Sequence, residues 1–302
     1  MAETLPRMDA RLISAIRRLR VNITRQRSGA GSEHRCPGLL RLFRTLMVAA
    51  ALVSTGANAA FDQSHSKLDT LLGEHVVWID NGHASQVDYA GIKRDPSMLN
   101  AYLAEVAAVS QQQYQTFSKA QKLAFLINAY NAYTIEFILT EYPDIESIKD
   151  LGSLFSNPWK KKLFPLLGEK RSLDDIEHDM IRKPGSFDDP RIHMAVNCAS
   201  IGCPALRSDA YVADRLDEQL DDSVRRFLSD HSRNRADAKG LWLSKIFDWY
   251  KKDFEKQSGS VQDWLVPYAQ LLSDDAKTQA AVRGKSLRVR YLDYDWALND
   301  LK

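Results

Sequence analysis

The segment from Leu123 to Leu139 is apolar on almost every face, and a helix of that kind has to be enclosed on all sides. Its start is marked by Ser118 and Gln121, spaced as a capping box, and Pro143 stops it. Whatever else the chain forms must therefore wrap this one element. Asn128 and Asn131 interrupt the apolar surface three residues apart and so share a helix face. Buried amides need partners. These two either pin neighbouring loops through backbone hydrogen bonds or line a cleft.

The remaining pattern supplies the wrapping. Phe61 to Val109 reads as a short helix, an extended piece around Val87-Asp88-Tyr89, and an amphipathic helix carrying Leu99, Leu103 and Val106. Lys160-Lys161-Lys162 leads into Leu163 to Gly168, which reads as a hairpin with a solvated basic face. No Gly-rich cradle accompanies those lysines, so phosphate binding has no support there. Ser172 caps the next helix with Asp175 in the reciprocal position. A long amphipathic helix follows, with Leu216, Leu220, Val224, Phe227 and Leu228 on its core face. Leu241 to Ser244 reads as a strand, Ile246 to Phe254 as a helix, and Leu287 to Leu292 as a period-two strand. These elements predict an α+β, helix-rich single domain with a small, mainly antiparallel sheet.

Glu177 falls inside the apolar stripe formed by Leu173, Ile176, Met180 and Ile181. A carboxylate there must be paired or must change its protonation, so it is either the partner of an arginine such as Arg191 or an acid of a site. Its neighbour His178 is turned off the stripe, between Asp174 and Arg182 at four-residue spacing, which predicts an exposed salt-bridge row.

The composition, 44% hydrophobic and 26% charged with a net charge of +2, is that of an ordinary soluble protein. That balance favours neither nucleic acid nor a membrane surface as partner. Along the 302 residues the arginines concentrate at the start. Residues 1–38 read as a basic extension without a fold, or a start assigned too early. Residues 39–59 read as a secretory signal peptide: Arg41 and Arg44, a short apolar run from Leu46 to Val53, then Ala57-Asn58-Ala59. Residues 60–302 carry no low-complexity linker and are expected to form one domain, periplasmic or secreted, with no stable membrane anchor after cleavage. Cys36 would be lost with the leader, leaving Cys198 and Cys203 in an oxidising compartment, where an even count favours a disulfide.

Those cysteines lie in Asp189-Pro190-Arg191-Ile192-His193-Met194-Ala195-Val196-Asn197-Cys198-Ala199-Ser200-Ile201-Gly202-Cys203-Pro204. The alternation predicts a strand from Arg191 to Asn197 that points Arg191, His193, Ala195 and Asn197 to one side. Three chemistries fit. His193 could hold Cys198 or Cys203 as thiolate, oriented by Asn128, Asn131 or Glu177. The two cysteines could be joined, Gly202 easing closure. Zinc held by His193, both cysteines and a carboxylate ranks last, because paired C-x-x-C spacing is missing. The first two readings largely exclude each other.

Several strings resemble an uncharacterised family known as domain of unknown function 547. They are Ala124 to Ala132, Ser172 to His178, the cysteine motif, Trp249-Tyr250-Lys251-Lys252-Asp253-Phe254 and Tyr294-Asp295-Trp296. The resemblance implies a bacterial exported protein and brings no established reaction. At the level of fold the buried helix and the His193 strand also resemble papain-like cysteine peptidases. Those begin the helix with the nucleophilic cysteine, whereas no cysteine stands in this one.

These readings converge on a cleft with Cys198, Cys203, His193 and Glu177 as catalytic candidates and Asn128, Asn131, Arg191 and His178 as binding candidates. It would hydrolyse a peptide or amide bond through a thiol, or act as a non-catalytic peptide- or protein-binding module braced by a Cys198–Cys203 disulfide. A purely structural disulfide-braced envelope protein is a third reading. No metal and no nucleotide, flavin or haem is expected.

Overall fold

The capping box forms as the sequence predicts: Ser118 Oγ accepts from the Gln121 amide at 3.1 Å, and Gln121 Oε1 accepts from the Ser118 amide at 2.8 Å. In this computed structural model, which describes residues 60–153 and 156–302, the helix so capped is Lys119–Leu139. The basic extension and the leader read in residues 1–59 lie outside the described residues.

In chain order the main elements are helix α1 (Ser66–His75), strands β1 (Val76–Ile79) and β2 (Ala84–Val87), helix α2 (Ser97–Ala108) and the enclosed helix α3 (Lys119–Leu139). Strands β3 (Phe164–Leu166) and β4 (Glu169–Arg171) precede a π-helical segment, Asp175–Ile181, and a 3-10 turn, Pro190–Met194. Helix α4 (Leu216–Ser229), strands β5 (Arg235–Asp237) and β6 (Gly240–Leu243), helix α5 (Lys251–Ser258) and strand β7 (Val289–Tyr291) follow. The sheets are small. β1–β2 and β3–β4 are antiparallel pairs, and β5–β6–β7 joins one antiparallel to one parallel pairing. The class is α+β, with helices dominant.

Local chemistry explains individual elements. Leu167 and Gly168 both take positive φ, the turn geometry that matches the twist of a two-residue hairpin between β3 and β4. The reciprocal cap expected at Ser172 and Asp175 is present, at 3.0 and 2.9 Å. The segment it opens carries buried Ile176, Glu177 and Ile181. α2 and the π segment both pack on α3, whose residues from Leu123 to Ile135 are all buried.

Two apolar clusters result. One surrounds α3 and includes Ile192, Ala195 and Val196; the other includes Met194, Val224, Phe227, Phe247, Phe254 and Trp264. Between Ile192 and Met194 stands His193. The sequence predicts a strand here, and the chain makes a 3-10 turn instead. Pro190 supplies a helical φ at the first position, and Asp189 caps the turn by accepting from the Arg191 amide at 3.0 Å. The alternation that reads as a sheet face is satisfied differently, with Ile192 buried in one core and Met194 in the other. His193 therefore does not share a face with Arg191, and the papain-like comparison loses the strand on which it rested.

Phe125 is fully buried among Phe61, Tyr114 and Phe117, with ring centroids 5.2, 5.7 and 5.9 Å away. We expect Phe125→Ala to cost about 3–5 kcal/mol. Urea unfolding of the variant against the parent checks this; a loss near zero contradicts the enclosed position of α3.

Candidate functional site

The seam between the two cores opens into a cleft of about 180 Å³. Tyr130 of α3, Glu177 and His178 of the π segment, His193, and the Cys198–Cys203 loop line its inner part. Trp159, Trp249, Tyr250, Tyr294 and Trp296 form its aromatic walls.

A polar chain fixes the inner groups. Arg182 directs Nε and Nη2 to the two oxygens of Asp253, at 2.6 and 3.2 Å, and Nη1 to His178 Nδ1 at 2.5 Å. Its guanidinium also lies over the Tyr250 ring, 4.7 Å from the centroid. Asp253 Oδ2 meets His193 Nε2 at 2.8 Å. Burial raises the Asp253 carboxyl, but the His193 and Arg182 hydrogen bonds outweigh it and hold Asp253 well below the usual carboxylate range. Asp253 is thus an acceptor, and Nε2 of His193 carries the proton. Burial also pushes His193 down, against the pull of Asp253, so the ring is neutral near pH 7. Its Nδ1 is then a bare acceptor, and it is buried with no partner. The ring is held flat by stacking on Tyr250, with centroids 3.8 Å apart.

Glu177 is 5% exposed, and its Oε1 also has no hydrogen-bond partner. The hydroxyls of Tyr130 and Tyr250 are in reach of its carboxylate; burial and then the Glu177 charge push both phenols up. Beside the cleft, then, Glu177 Oε1 and His193 Nδ1 accept no hydrogen bond, although two phenol hydroxyls stand near the Glu177 carboxylate. Unpaired buried acceptors are costly. A cation or an N–H group is the kind of partner that such acceptors take. The walls suit a cation too, because aromatic faces carry partial negative charge. Lys149 already sits 3.8 Å above the Trp296 ring, and Trp249 is 47% exposed at the rim.

Cys198 and Cys203 are joined by a disulfide. Their loop is held by much else. Asn131 of α3 donates to the Ala195 carbonyl at 3.0 Å and accepts from the Asn197 amide at 2.9 Å. Asn197 in turn donates to the Pro204 carbonyl and accepts from the Ala199 amide, both at 2.8 Å. The C-terminal segment closes over the loop: Ile201 N donates to Ala297 O and Gly202 N to Asp295 O, each at 2.8 Å. A Cβ on Gly202 would lie 2.8 Å from Asp295 O, so only glycine permits this approach.

Of the residues singled out from the sequence, Glu177, His178, His193, Cys198 and Cys203 come together. Asn128 and Asn131 do not line the cleft; Asn128 exchanges two hydrogen bonds with the Tyr211 backbone, at 2.7 and 3.0 Å, and so pins a loop. The proposed Glu177–Arg191 ion pair is absent. Arg191 instead reaches Asp189, Asp217 and Asp221, at 2.8, 2.8 and 2.7 Å, away from the cleft. His178 sits in the expected row, 3.4 Å from Asp174 and bonded to Arg182, and also lines the cleft. Sequence reasoning missed Asp253, Arg182 and the aromatic walls as site groups. Asp253, Trp249, Tyr250, Tyr294 and Trp296 stand in the strings that carry the family resemblance, which was the available signal. Among the described residues, no group of three or more His, Cys, Asp or Glu side chains is arranged to hold a metal ion. No described helix is long and apolar enough to cross a membrane.

Residues 114–228 match the model of a family described as protein of unknown function, DUF547. The matched stretch contains Asn128, Asn131, Glu177, His193 and both cysteines, and supports the resemblance carried by those motifs. The Trp249–Phe254 and Tyr294–Trp296 strings lie beyond it. No curated protein and no solved structure matches the chain.

Two buried histidines predict a pH dependence of stability. Burial lowers His193, and it lowers His65 from 6.5 to about 4 despite the nearby Asp62. Below pH 6.5 the unfolded chain therefore binds more protons than the folded one, so the stability these groups confer is complete above that pH and is lost as pH falls toward the folded values. The urea midpoint should drop between about pH 7 and 5, and His65→Asn should flatten that drop. For the polar chain, Asp253→Ala leaves Arg182 and His193 without their shared acceptor and should cost about 1.5–3 kcal/mol, measured by urea unfolding at pH 7.

Proposed function

We propose that this protein is an exported peptide-binding module of the cell envelope whose cleft accepts a segment bearing a lysine or arginine side chain. The observation that carries the reading is the pair of unpartnered acceptors, Glu177 Oε1 and His193 Nδ1, at the base of an aromatic cleft. An ammonium or guanidinium group supplies donors to both and cation–π contact to the Trp and Tyr faces along the way. The Cys198–Cys203 disulfide favours binding over thiol-dependent hydrolysis, because it occupies both candidate nucleophiles. The leader-like pattern in residues 39–59 supports export, and export agrees with a stable disulfide.

A second reading keeps thiol-dependent hydrolysis of an amide bond by the reduced pair. It is favoured by the Asp253–His193 hydrogen bond, which orients an imidazole in the manner of a general base.

Calorimetric titration with a short lysine peptide and its norleucine counterpart tests the first reading. The lysine peptide should bind at least about tenfold tighter. Glu177→Gln should bring the two affinities together. Equal affinities for the parent protein overturn the reading.

A further inference from the structure

We propose that the Cys198–Cys203 disulfide is a thiol–disulfide exchange site, attacked at Cys198 by a thiol held in the cleft, with Cys203 as the leaving group. Naming that thiol as a cysteine of a bound peptide rests on the peptide-binding reading above.

Three observations assign the roles. The first is access: both cysteines line the cleft, but Cys198 is partly exposed whereas Cys203 is 5% exposed. The second is preparation of a leaving thiolate. Cys203 Sγ accepts from the Cys198 amide at 3.0 Å, while the Tyr294 hydroxyl lies 3.1 Å from both sulfurs and Ser200 Oγ 3.2 Å from Cys198 Sγ. Ser200 Oγ lies 2.8 Å from the Tyr294 oxygen and can supply that oxygen with a donor, leaving the Tyr294 proton for sulfur. Arg233 brings a guanidinium to the Cys203 carbonyl. The Cys198 amide is the donor particular to Cys203 Sγ; it lowers the cost of negative charge there, and the better thiolate leaves faster. Third, the loop is held by hydrogen bonds in addition to the disulfide. Asn131, Asn197 and the strap of Asp295 and Ala297 hold it from both sides. The pair encloses only a short loop, for which the entropic benefit of a crosslink is small. A disulfide placed on a cleft wall, in a loop with these other supports, is open to chemistry.

The exchange balances as follows. The incoming thiol loses its proton to solvent and reacts as the thiolate. The resulting thiolate attacks Cys198 Sγ; a mixed disulfide forms, the Cys198–Cys203 bond breaks, and its electron pair goes to Cys203 as thiolate. A second thiol of the same peptide then attacks its own sulfur in the mixed disulfide and releases Cys198. The peptide dithiol is oxidised by two electrons to a disulfide, and the protein pair is reduced to two thiols. A low-molecular-weight disulfide reverses the change in the protein.

The test uses the oxidised chain with Cys36→Ser, so that Cys198 and Cys203 are its only cysteines, and dithiothreitol, which needs no peptide site, with alkylation and intact mass as the readout. We expect reduction to be complete while the near-UV dichroism of the fold persists. Tyr294→Phe should slow it roughly tenfold by removing the donor shared by the two sulfurs, which is free to follow the charge to whichever one leaves. A thionitrobenzoate-activated cysteine peptide should label Cys203→Ser quickly at Cys198 and Cys198→Ser slowly at Cys203. Reduction only after unfolding, an unchanged rate in Tyr294→Phe, or equal labelling of the two serine variants overturns the exchange site. If dithiothreitol behaves as expected but a lysine-bearing cysteine peptide reacts no faster than its norleucine analogue, the exchange site stands and the peptide-binding reading falls.

Discussion

The side-chain amide of Asn131 joins the enclosed helix to everything that happens at the cleft. Its two hydrogen bonds, to Ala195 O and from Asn197 N, use both ends of the amide on backbone groups of the cysteine segment. Because α3 is packed on all sides, that amide cannot shift without moving the core, and a well-packed core is not continuously deformable. The loop inherits the rigidity of the helix. Asn197 carries the constraint one step further, spanning from Ala199 to Pro204, and so places Cys198 and Cys203 relative to α3 with little freedom left. Asn128 does the same for the Tyr211 segment. Two polar residues on an apolar helix thus act as mounts: they touch nothing in the cleft and decide where its wall stands.

On the opposite side the mount is Asp253. One carboxylate oxygen receives both Arg182 Nε and His193 Nε2, which links the π segment, the 3-10 turn and α5 through a single atom. This arrangement settles the tautomer of His193, and the tautomer settles the character of the cleft. An imidazole with its proton committed to Asp253 presents a lone pair inward. Set beside Glu177, it makes the base of the cleft an acceptor surface, although Arg182 and His178 lie close behind it. The positive charge of Arg182 is spent on Asp253 and on the face of Tyr250, so it does not cancel the demand of the two acceptors for a donor.

Legibility in the sequence followed the range of the interactions. The capping box at Ser118, the all-round apolar helix, the Leu167-Gly168 hairpin and the core face of α4 are decided by residues within one or two turns of each other, and these were readable. Glu177 was readable as an anomaly because helical spacing alone puts it among apolar neighbours. Its surroundings were not, because Tyr130 and Tyr250 come from distant parts of the chain. The segment after Pro190 misled for a definite reason. Period-two alternation signals that neighbouring side chains go to different environments, and a strand is only the commonest way to achieve that. Here Ile192 and Met194 enter two separate cores from a 3-10 turn. The same event carries His193 into the seam and turns Arg191 outward to three aspartates, which no strand register could have done. Asp253 was invisible as a site residue because its partners, Arg182 and His193, are more than fifty residues away, and its local setting is an ordinary charged helix.

The binding, hydrolysis and exchange readings differ less in geometry than in the oxidation state of one bond. All three need a cysteine loop that keeps its place, and binding and hydrolysis also need a neutral His193 oriented by Asp253. In the oxidised chain the sulfurs are wall, and the acceptors at the base dominate what can enter. In the reduced chain the Cys198 amide would stabilise a thiolate at Cys203, and the Tyr294 hydroxyl could serve either sulfur. A loop that relied on its disulfide would collapse on reduction and lose this second state. The hydrogen bonds of Asn131 and Asn197 run to backbone groups and not through the sulfurs, so breaking the disulfide removes none of them.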